Sequence, residues 1–132
     1  CMQNEIIPQI IKDVGFDFSW DESKVWKLDV PVTKMNIEEL TWHFGIPFLC
    51  ENNGVYNLTP LEVLKNPERH QSEYKRTLKA DMKYPIDIMQ NKGQWLILDG
   101  LHRVMQASLQ GLKEVSVRIV SREKILEITK VL

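Results

Sequence analysis

A five-residue segment at 99–103, Asp-Gly-Leu-His-Arg, carries the side chains of this chain that are best suited to chemistry. It follows a continuous apolar run, residues 95–98, of the kind found in strands that are buried on both faces. Apolar residues at helical spacing come next, so His102 and Arg103 are predicted to lie in the first turn of a helix. A helix start has unpaired backbone N–H groups and the positive end of the helix dipole. With an imidazole and a guanidinium added, this turn predicts an anion site, and phosphate is the favoured ligand.

Carboxylates near such a site would allow it to catalyse a reaction of the bound phosphate as well as bind it. Asp99 is interpreted either as a Mg²⁺ or phosphate-orienting group or as an ordinary helix N-cap, and Gly100 serves the tight turn in both cases. Transfer of a phosphate to a hydroxyl needs a general base, for which the candidates are Glu38, Glu39 and Asp29. Helix capping explains Glu39 equally well, and solvent exposure explains Glu38.

Composition sets further bounds on the class of protein. The 132 residues are 43% hydrophobic and 27% charged, which predicts one globular domain spanning 1–132. A formal net charge of -1 gives no electrostatic argument for nucleic acid. We expect no membrane span, because no apolar run approaches ~18 residues, and no secretory signal. Cys1 and Cys50 are interpreted as free thiols, which favours a cytoplasmic protein. His43 and His70 lack a third ligand at metal spacing, so no metal centre is predicted.

Periodicity and turn signals predict the remaining elements. The predicted helices are 3–14, one capped by Asn36 and ended by Gly45, 60–64, 68–82, and a last helix after Ser121. The predicted strands are 25–30, ended by Pro31, and then 84–89, 95–98 and 115–120, with hairpin turns at 52–54 and 91–93. The helix after residue 100 implies a right-handed crossover in which strands 95–98 and 115–120 are parallel. This order predicts an α+β fold, a small mixed sheet flanked by helices.

From about residue 84 onward the sequence resembles the ParB/sulfiredoxin superfamily. The resemblance rests on Pro85-Ile-Asp-Ile, the hairpin at 91–93, the Asp-Gly-x-His-Arg turn at 99–103 and the strand at 116–120. It covers residues 84–128 well. It implies a ParB/sulfiredoxin-like domain with its core at about 25–128 and an insertion at about 46–66.

The same resemblance implies nucleotide binding, with His102 and Arg103 contacting phosphates and with Lys75 and Thr77 as further contacts. Sulfiredoxins carry a catalytic Cys where this chain has Leu101, so the resemblance implies no sulfiredoxin activity. Partition proteins continue into DNA-binding and dimerisation modules, for which we expect no room after Leu132. Free-serine kinases of the superfamily are similar at the turn itself, where Asp-Gly-x-His-Arg forms a phosphate cradle.

The leading hypothesis is therefore a nucleotide-binding protein of ParB/sulfiredoxin type. It would be an ATP- or ADP-dependent phosphotransferase or nucleotide hydrolase that uses Mg²⁺ and acts on an unknown small-molecule acceptor. One alternative is a non-catalytic module that binds a nucleotide or a partner at the same turn. The other is a DNA-binding or nuclease-like relative, which the net charge disfavours. The sequence does not indicate an oligomeric state.

Overall fold

The computed structural model describes residues 8–15, 20–52, 54 and 56–129 of the chain. Within them the helices are α1 (Gln9–Val14), α2 (Glu22–Trp26), α3 (Pro60–Lys65), α4 (Gln71–Lys79), α5 (Leu101–Leu109) and α6 (Ile125–Ile128). The strands are β1 (Val32–Asn36), β2 (Ile86–Asn91), β3 (Gln94–Asp99) and β4 (Glu114–Ile119). Short 3-10 helices cover Ile37–Glu39, Thr41–Gly45 and Arg122–Lys124.

The four strands form one mixed sheet in the order β1-β4-β2-β3. β2 and β3 are an antiparallel hairpin, and its turn places Lys92 and Gly93 at φ values of 51° and 79°. These paired positive φ angles match the type I′ turn that suits the twist of a hairpin. β2 is parallel to β4, and β1 is antiparallel to β4. The predicted α+β fold with a small mixed sheet is confirmed.

The predicted parallel relation between the strands on either side of α5 is wrong. Asp87 of β2 pairs with Asp99 in an antiparallel register and with Arg118 in a parallel one. β3 and β4 therefore run in opposite directions on the two sides of β2. β3 ends and β4 begins at the same end of the sheet, so α5 connects two strands that run in opposite directions.

The strand predicted at 25–30 is also wrong, because this region begins as helix α2. The Asp21 carboxylate accepts a hydrogen bond from the Ser23 backbone N–H at 2.9 Å and caps that helix. Local capping outweighs the alternating pattern, since a short amphipathic stretch fits either period. Pro31 precedes β1 instead of ending a strand.

The segment at 36–45 keeps its predicted cap but not its predicted helix type. The Asn36 side chain accepts a hydrogen bond from the Glu38 N–H at 2.9 Å, and two 3-10 helices follow. The helix predicted at 68–82 is shorter, as α4. The short helix after Thr59 is confirmed as α3, capped by the Thr59 hydroxyl. Of the helix predicted at 3–14, residues 3–7 lie outside the described residues, and α1 covers Gln9–Val14.

Both faces of the sheet are covered by buried apolar residues, and α5 packs on one of them. The larger core includes Ile88 and Ile97 of the sheet with Val104 and Met105 of α5. The smaller core joins five buried residues of α2, β2, β3, α6 and the residue after β4: Val25, Met89, Leu98, Ile128 and Val120. The predicted insertion at 46–66 contributes to the larger core through Leu49, Leu58 and Val63.

The structure bears on two predictions from the sequence, the absence of a membrane span and the free thiol at Cys50. In the part of the chain that the structure describes, no helix is both long enough and apolar enough to cross a membrane. Cys50 is disulfide-bonded, so the expectation of a free thiol at this position is wrong. Cys1 lies outside the described residues. The free-thiol argument for a reducing compartment therefore no longer applies to Cys50.

Candidate functional site

The start of α5 has the geometry that the sequence predicts for an anion site. Gly100 precedes the helix at φ 118°, in the left-handed region, and no side chain caps the helix. The N–H groups of Arg103 and Val104 donate to the Gly100 carbonyl, at 3.0 and 3.1 Å. The N–H groups at Leu101 and His102, in the first turn, have no carbonyl partner within the helix. This is the local arrangement that binds anions at helix starts.

We expect Gly100→Ala to lower the free energy of unfolding by about 1–3 kcal/mol. A methyl group there would lie 3.1 Å from Arg103 Nη1 and 3.2 Å from two carbon atoms of Ile86, at a φ that L residues rarely adopt. Gly45→Ala is the matched control, since nothing lies within 4 Å of its added methyl group. Urea denaturation of both variants measures the difference, and equal midpoints would contradict the prediction.

A cavity of about 590 Å³ opens at the start of α5, and we call it the α5 cleft. Its lining includes residues 100–103 and, from α4, the cations Arg76 and Lys79. Carboxylates also line it, namely Glu22, Glu73, Asp81 and Asp99. Both signs of charge therefore meet at this helix start, which suits a multiply charged anion accompanied by a cation.

Glu73 is the nearest ionic partner of His102. Its Oε2 lies 2.7 Å from His102 Nε2, and Arg76 donates to its Oε1 at 3.1 Å. Burial alone would raise the pKa of the Glu73 carboxyl, but the His102 hydrogen bond and the charges of Arg76 and His102 outweigh it and hold that pKa below its usual value. A carboxylate of the protein thus engages His102, one of the two side chains that are predicted to contact a bound anion. Sequence reasoning missed Glu73, because it lies in a helix that reads as a charged, solvated face.

Arg103 and Asp99 are held together on the other side of the turn. Arg103 donates to the Pro85 carbonyl at 2.8 Å and to Asp99 Oδ2 at 3.4 Å. The Trp26 indole N–H donates to the same Asp99 oxygen at 2.6 Å. Asp99 is therefore not the N-cap of α5. Among the described residues its Oδ1 makes no hydrogen bond and is not fully buried, so this oxygen is accessible to a ligand.

The structure does not bring Lys75 or Thr77 into the α5 cleft. Lys75 is exposed and lines neither this cleft nor the neighbouring one. Thr77 is fully buried and its hydroxyl donates to the Glu73 carbonyl at 2.9 Å, so the side chain does not line the cleft. Lys79, one turn further along α4, is the lysine that lines the cleft.

The three predicted bases also lie outside both cavities. Glu38 and Glu39 follow β1, where the Ile37 N–H donates to the Lys113 carbonyl at the opposite end of β4 from Arg118. Asp29 is exposed in the connection between α2 and β1. None of the three lines the α5 cleft, so the geometry gives them no proximity to a phosphate bound at α5.

A second cavity of about 460 Å³ shares Asp99 and Arg103 with the α5 cleft, and we call it the aromatic cleft. The rest of its lining is Trp26, Tyr84, Pro85, Asp87 and Arg118. Arg118 Nε donates to Asp87 Oδ1 at 2.8 Å, and its Nη2 donates to the Val25 carbonyl at 2.8 Å. Burial raises the pKa of the Asp87 carboxyl against the opposing effect of Arg118.

Sequence reasoning also missed the two ends of this buried ion pair. Asp87 is a charged residue inside an apolar strand, and Arg118 takes a polar position in an alternating strand. A charge inside an apolar strand must find a partner when that strand is buried. That signal was present in the sequence, but the pairing depends on β2 and β4 being neighbours.

The described residues thus form an α+β domain with a mixed four-stranded sheet and two connected clefts at one end of it. Among solved structures, the chain is similar to sulfiredoxin from Arabidopsis thaliana, with 14% sequence identity and a TM-score of 0.36. The match covers 73% of this chain and 93% of that one. No protein-family model and no curated protein matches the chain. The likeness concerns the fold alone, and any function has to follow from the geometry of the two clefts.

Proposed function

We propose that this protein binds a nucleotide and places its phosphates at the start of α5. The observation that carries the proposal is the start of α5, which has no side-chain cap and opens into a 590 Å³ cleft that Arg76 and Lys79 also line. Phosphate oxygens would accept from the first-turn N–H groups and from these cations. The cleft volume lies within the range of ordinary small-molecule sites.

The residues at the cleft suit a magnesium ion that binds together with the nucleotide. Mg²⁺ is commonly held by one or two carboxylates plus substrate phosphates, and it keeps several waters. Asp99 offers its accessible Oδ1, and the described residues contain no cluster of three or more ligating side chains that would hold a metal alone. Bound there, the ion would neutralise phosphate charge next to Arg103.

The finer proposal is phosphoryl transfer or nucleotide hydrolysis. Such reactions depend mainly on positioning and on electrostatic stabilisation of the transferred group. His102 and Arg103 would supply positive charge on the two sides of the helix start, and Asp99 would hold the metal. The acceptor would have to enter beside Asp99 and Arg103, because these two residues line both clefts.

The experiment that tests the proposal measures thermal stability with ATP, ADP, CTP or GTP and Mg²⁺. Ligand at ~100 times its dissociation constant adds roughly 2.7 kcal/mol to stability, which shifts the unfolding midpoint clearly. We expect a shift in the wild type that His102→Ala/Arg103→Ala loses. Lys75→Ala is the matched control and should keep the shift, since Lys75 is exposed outside the cleft.

The outcomes separate the candidate functions. No shift with any nucleotide would contradict nucleotide binding. A shift accompanied by release of inorganic phosphate would support hydrolysis. Loss of the terminal phosphate from the nucleotide only with an added acceptor, with the phosphate recovered on that acceptor and not as inorganic phosphate, would support transfer. A shift without turnover under any condition would favour a binding module over an enzyme.

Glu73→Gln is expected to tighten the binding of inorganic phosphate by about tenfold. The substitution keeps the shape of the side chain but removes the negative charge that lies 2.7 Å from His102 and 3.1 Å from Arg76. The bound anion would then no longer compete with a resident carboxylate. Calorimetric titration with phosphate measures the change.

Glu68→Gln is the control for this prediction, because Glu68 is an exposed glutamate that lines neither cleft. It should leave phosphate affinity unchanged. Unchanged or weaker binding by Glu73→Gln would contradict the view of Glu73 as a competing anion. Its role would then be to orient His102.

A further inference from the structure

We propose that the aromatic cleft holds the base of the nucleotide, between the side chains of Trp26 and Tyr84. This inference rests on the proposed function and assigns the second cavity to the same ligand. The two clefts meet at Asp99 and Arg103, which line both. A ligand with its phosphates at α5 can therefore extend past Arg103 into the aromatic cleft.

Trp26 and Tyr84 are exposed to an unusual degree for large aromatic side chains. Their exposed fractions are 56% and 54%, so neither ring serves mainly to fill a core. They come from separate parts of the chain, the end of α2 and the residue before Pro85, yet both line the same 460 Å³ cavity. Every nucleotide base has a flat π-face, so any of them can stack on such aromatic rings.

Both rings are held at the cleft by contacts with the phosphate side of the site. The Trp26 indole N–H donates to Asp99 Oδ2 at 2.6 Å. The Arg103 guanidinium carbon lies 5.9 Å from the centre of the Tyr84 ring, within the distance of a cation–π contact. The rings are therefore oriented before any ligand binds, which lowers the entropic cost of stacking.

Polar groups in the same cleft suit the edges of a base. Asp87 and Arg118 are paired with one another and are almost buried, with side-chain exposed fractions of 5% and 14%. Among the described residues, Asp87 Oδ2 and Arg118 Nη1 make no hydrogen bond and are not fully buried, so the pair retains one acceptor and one donor group for a ligand. Trp26 and Tyr84 offer apolar faces to the same cleft. A planar ring that carries donors and acceptors on its edge satisfies both kinds of lining.

The experiment compares the affinities of ATP and inorganic tripolyphosphate, each with Mg²⁺, by calorimetry. The wild type should bind ATP about tenfold or more tightly than tripolyphosphate, because only ATP has a base to stack. Trp26→Ala and Tyr84→Ala should each remove most of this difference, because each should weaken ATP binding far more than tripolyphosphate binding. Trp26→Phe and Tyr84→Phe keep a ring and should keep most of the preference.

Leu78→Ala is the control, since Leu78 is 54% exposed and lines neither cleft. It should change neither affinity. Equal affinity of the wild type for ATP and tripolyphosphate would overturn the base site while leaving phosphate binding at α5 intact. A preference for ATP that survives both alanine substitutions would overturn it as well. Failure of both ligands to bind would overturn the proposed function, and the base site with it.

Discussion

Replacement of Arg118 by methionine is expected to lower the free energy of unfolding by about 3–5 kcal/mol. The Asp87 side chain is 5% exposed, and Arg118 Nε donates to it at 2.8 Å. Removal of the guanidinium leaves a buried carboxyl without its partner and also removes the bond to the Val25 carbonyl that ties α2 to the sheet. Urea denaturation at neutral pH measures the loss.

Two further variants show whether the unpaired charge is the cause. Asp87→Asn combined with Arg118→Met removes both charges, so most of the stability should return. Burial raises the pKa of Asp87 in the folded state, so the folded protein binds the proton more tightly than the unfolded chain. Arg118 opposes that shift, so its removal should raise the pKa of Asp87 further, and the Arg118→Met variant should recover relative to wild type as the pH falls and Asp87 protonates. A loss below about 1 kcal/mol, or a double variant no more stable than Arg118→Met, would contradict this account.

Acidification is expected to destabilise the protein by about 3 kcal/mol through His43 alone. His43 is 2% exposed, stacks on Trp42 at a ring distance of 3.8 Å, and accepts the Ile97 N–H at its Nε2 at 3.1 Å. The proton of the neutral ring is then on Nδ1, which lies 2.7 Å from the Leu40 carbonyl. Burial lowers the pKa of His43 to about 4 from an ordinary value of 6.5. A second proton would face the Ile97 N–H donor.

The lowered pKa of His43 determines whether stability rises or falls with pH. Between pH 6.5 and about 4 the unfolded chain binds a proton that the folded protein does not, so stability rises with pH. The contribution of His43 is therefore complete above pH 6.5 and is lost as the pH falls toward about 4. His43→Gln should remove this part of the pH dependence, and the difference between the two stability curves isolates it. Parallel curves across that window would contradict the assignment.

Much of the region around the site could be predicted from the sequence because its signals are local. Three signals within a few residues specify a strand, a turn and a helix in that order. They are the apolar run before Asp99, the glycine at position 100 and the helical spacing of the apolar residues that follow. The hairpin turn at Lys92 and Gly93 is equally local. The helix cap at Asn36 could be predicted, because a side chain that bonds to a nearby N–H needs no tertiary context.

The parts that could not be predicted depend on which strands are neighbours. The direction of β4 follows from its place beside β2, and no local pattern specifies that place. The ion pair of Asp87 and Arg118 and the contact of Trp26 with Asp99 depend on the same topology. The interaction of Glu73 with His102 needs α4 to pack on α5, and a charged helix gives no sign of its partner.

The measurement that tests the central claim most directly follows the backbone amide resonances of Leu101 and His102 during titration with ATP and Mg²⁺. If phosphates bind at the start of α5, these two N–H groups should show the largest shifts, and the shifts should saturate with the ligand. Tripolyphosphate should move the same two resonances. Binding that shifts other regions and leaves Leu101 and His102 unchanged would contradict a phosphate site on this helix.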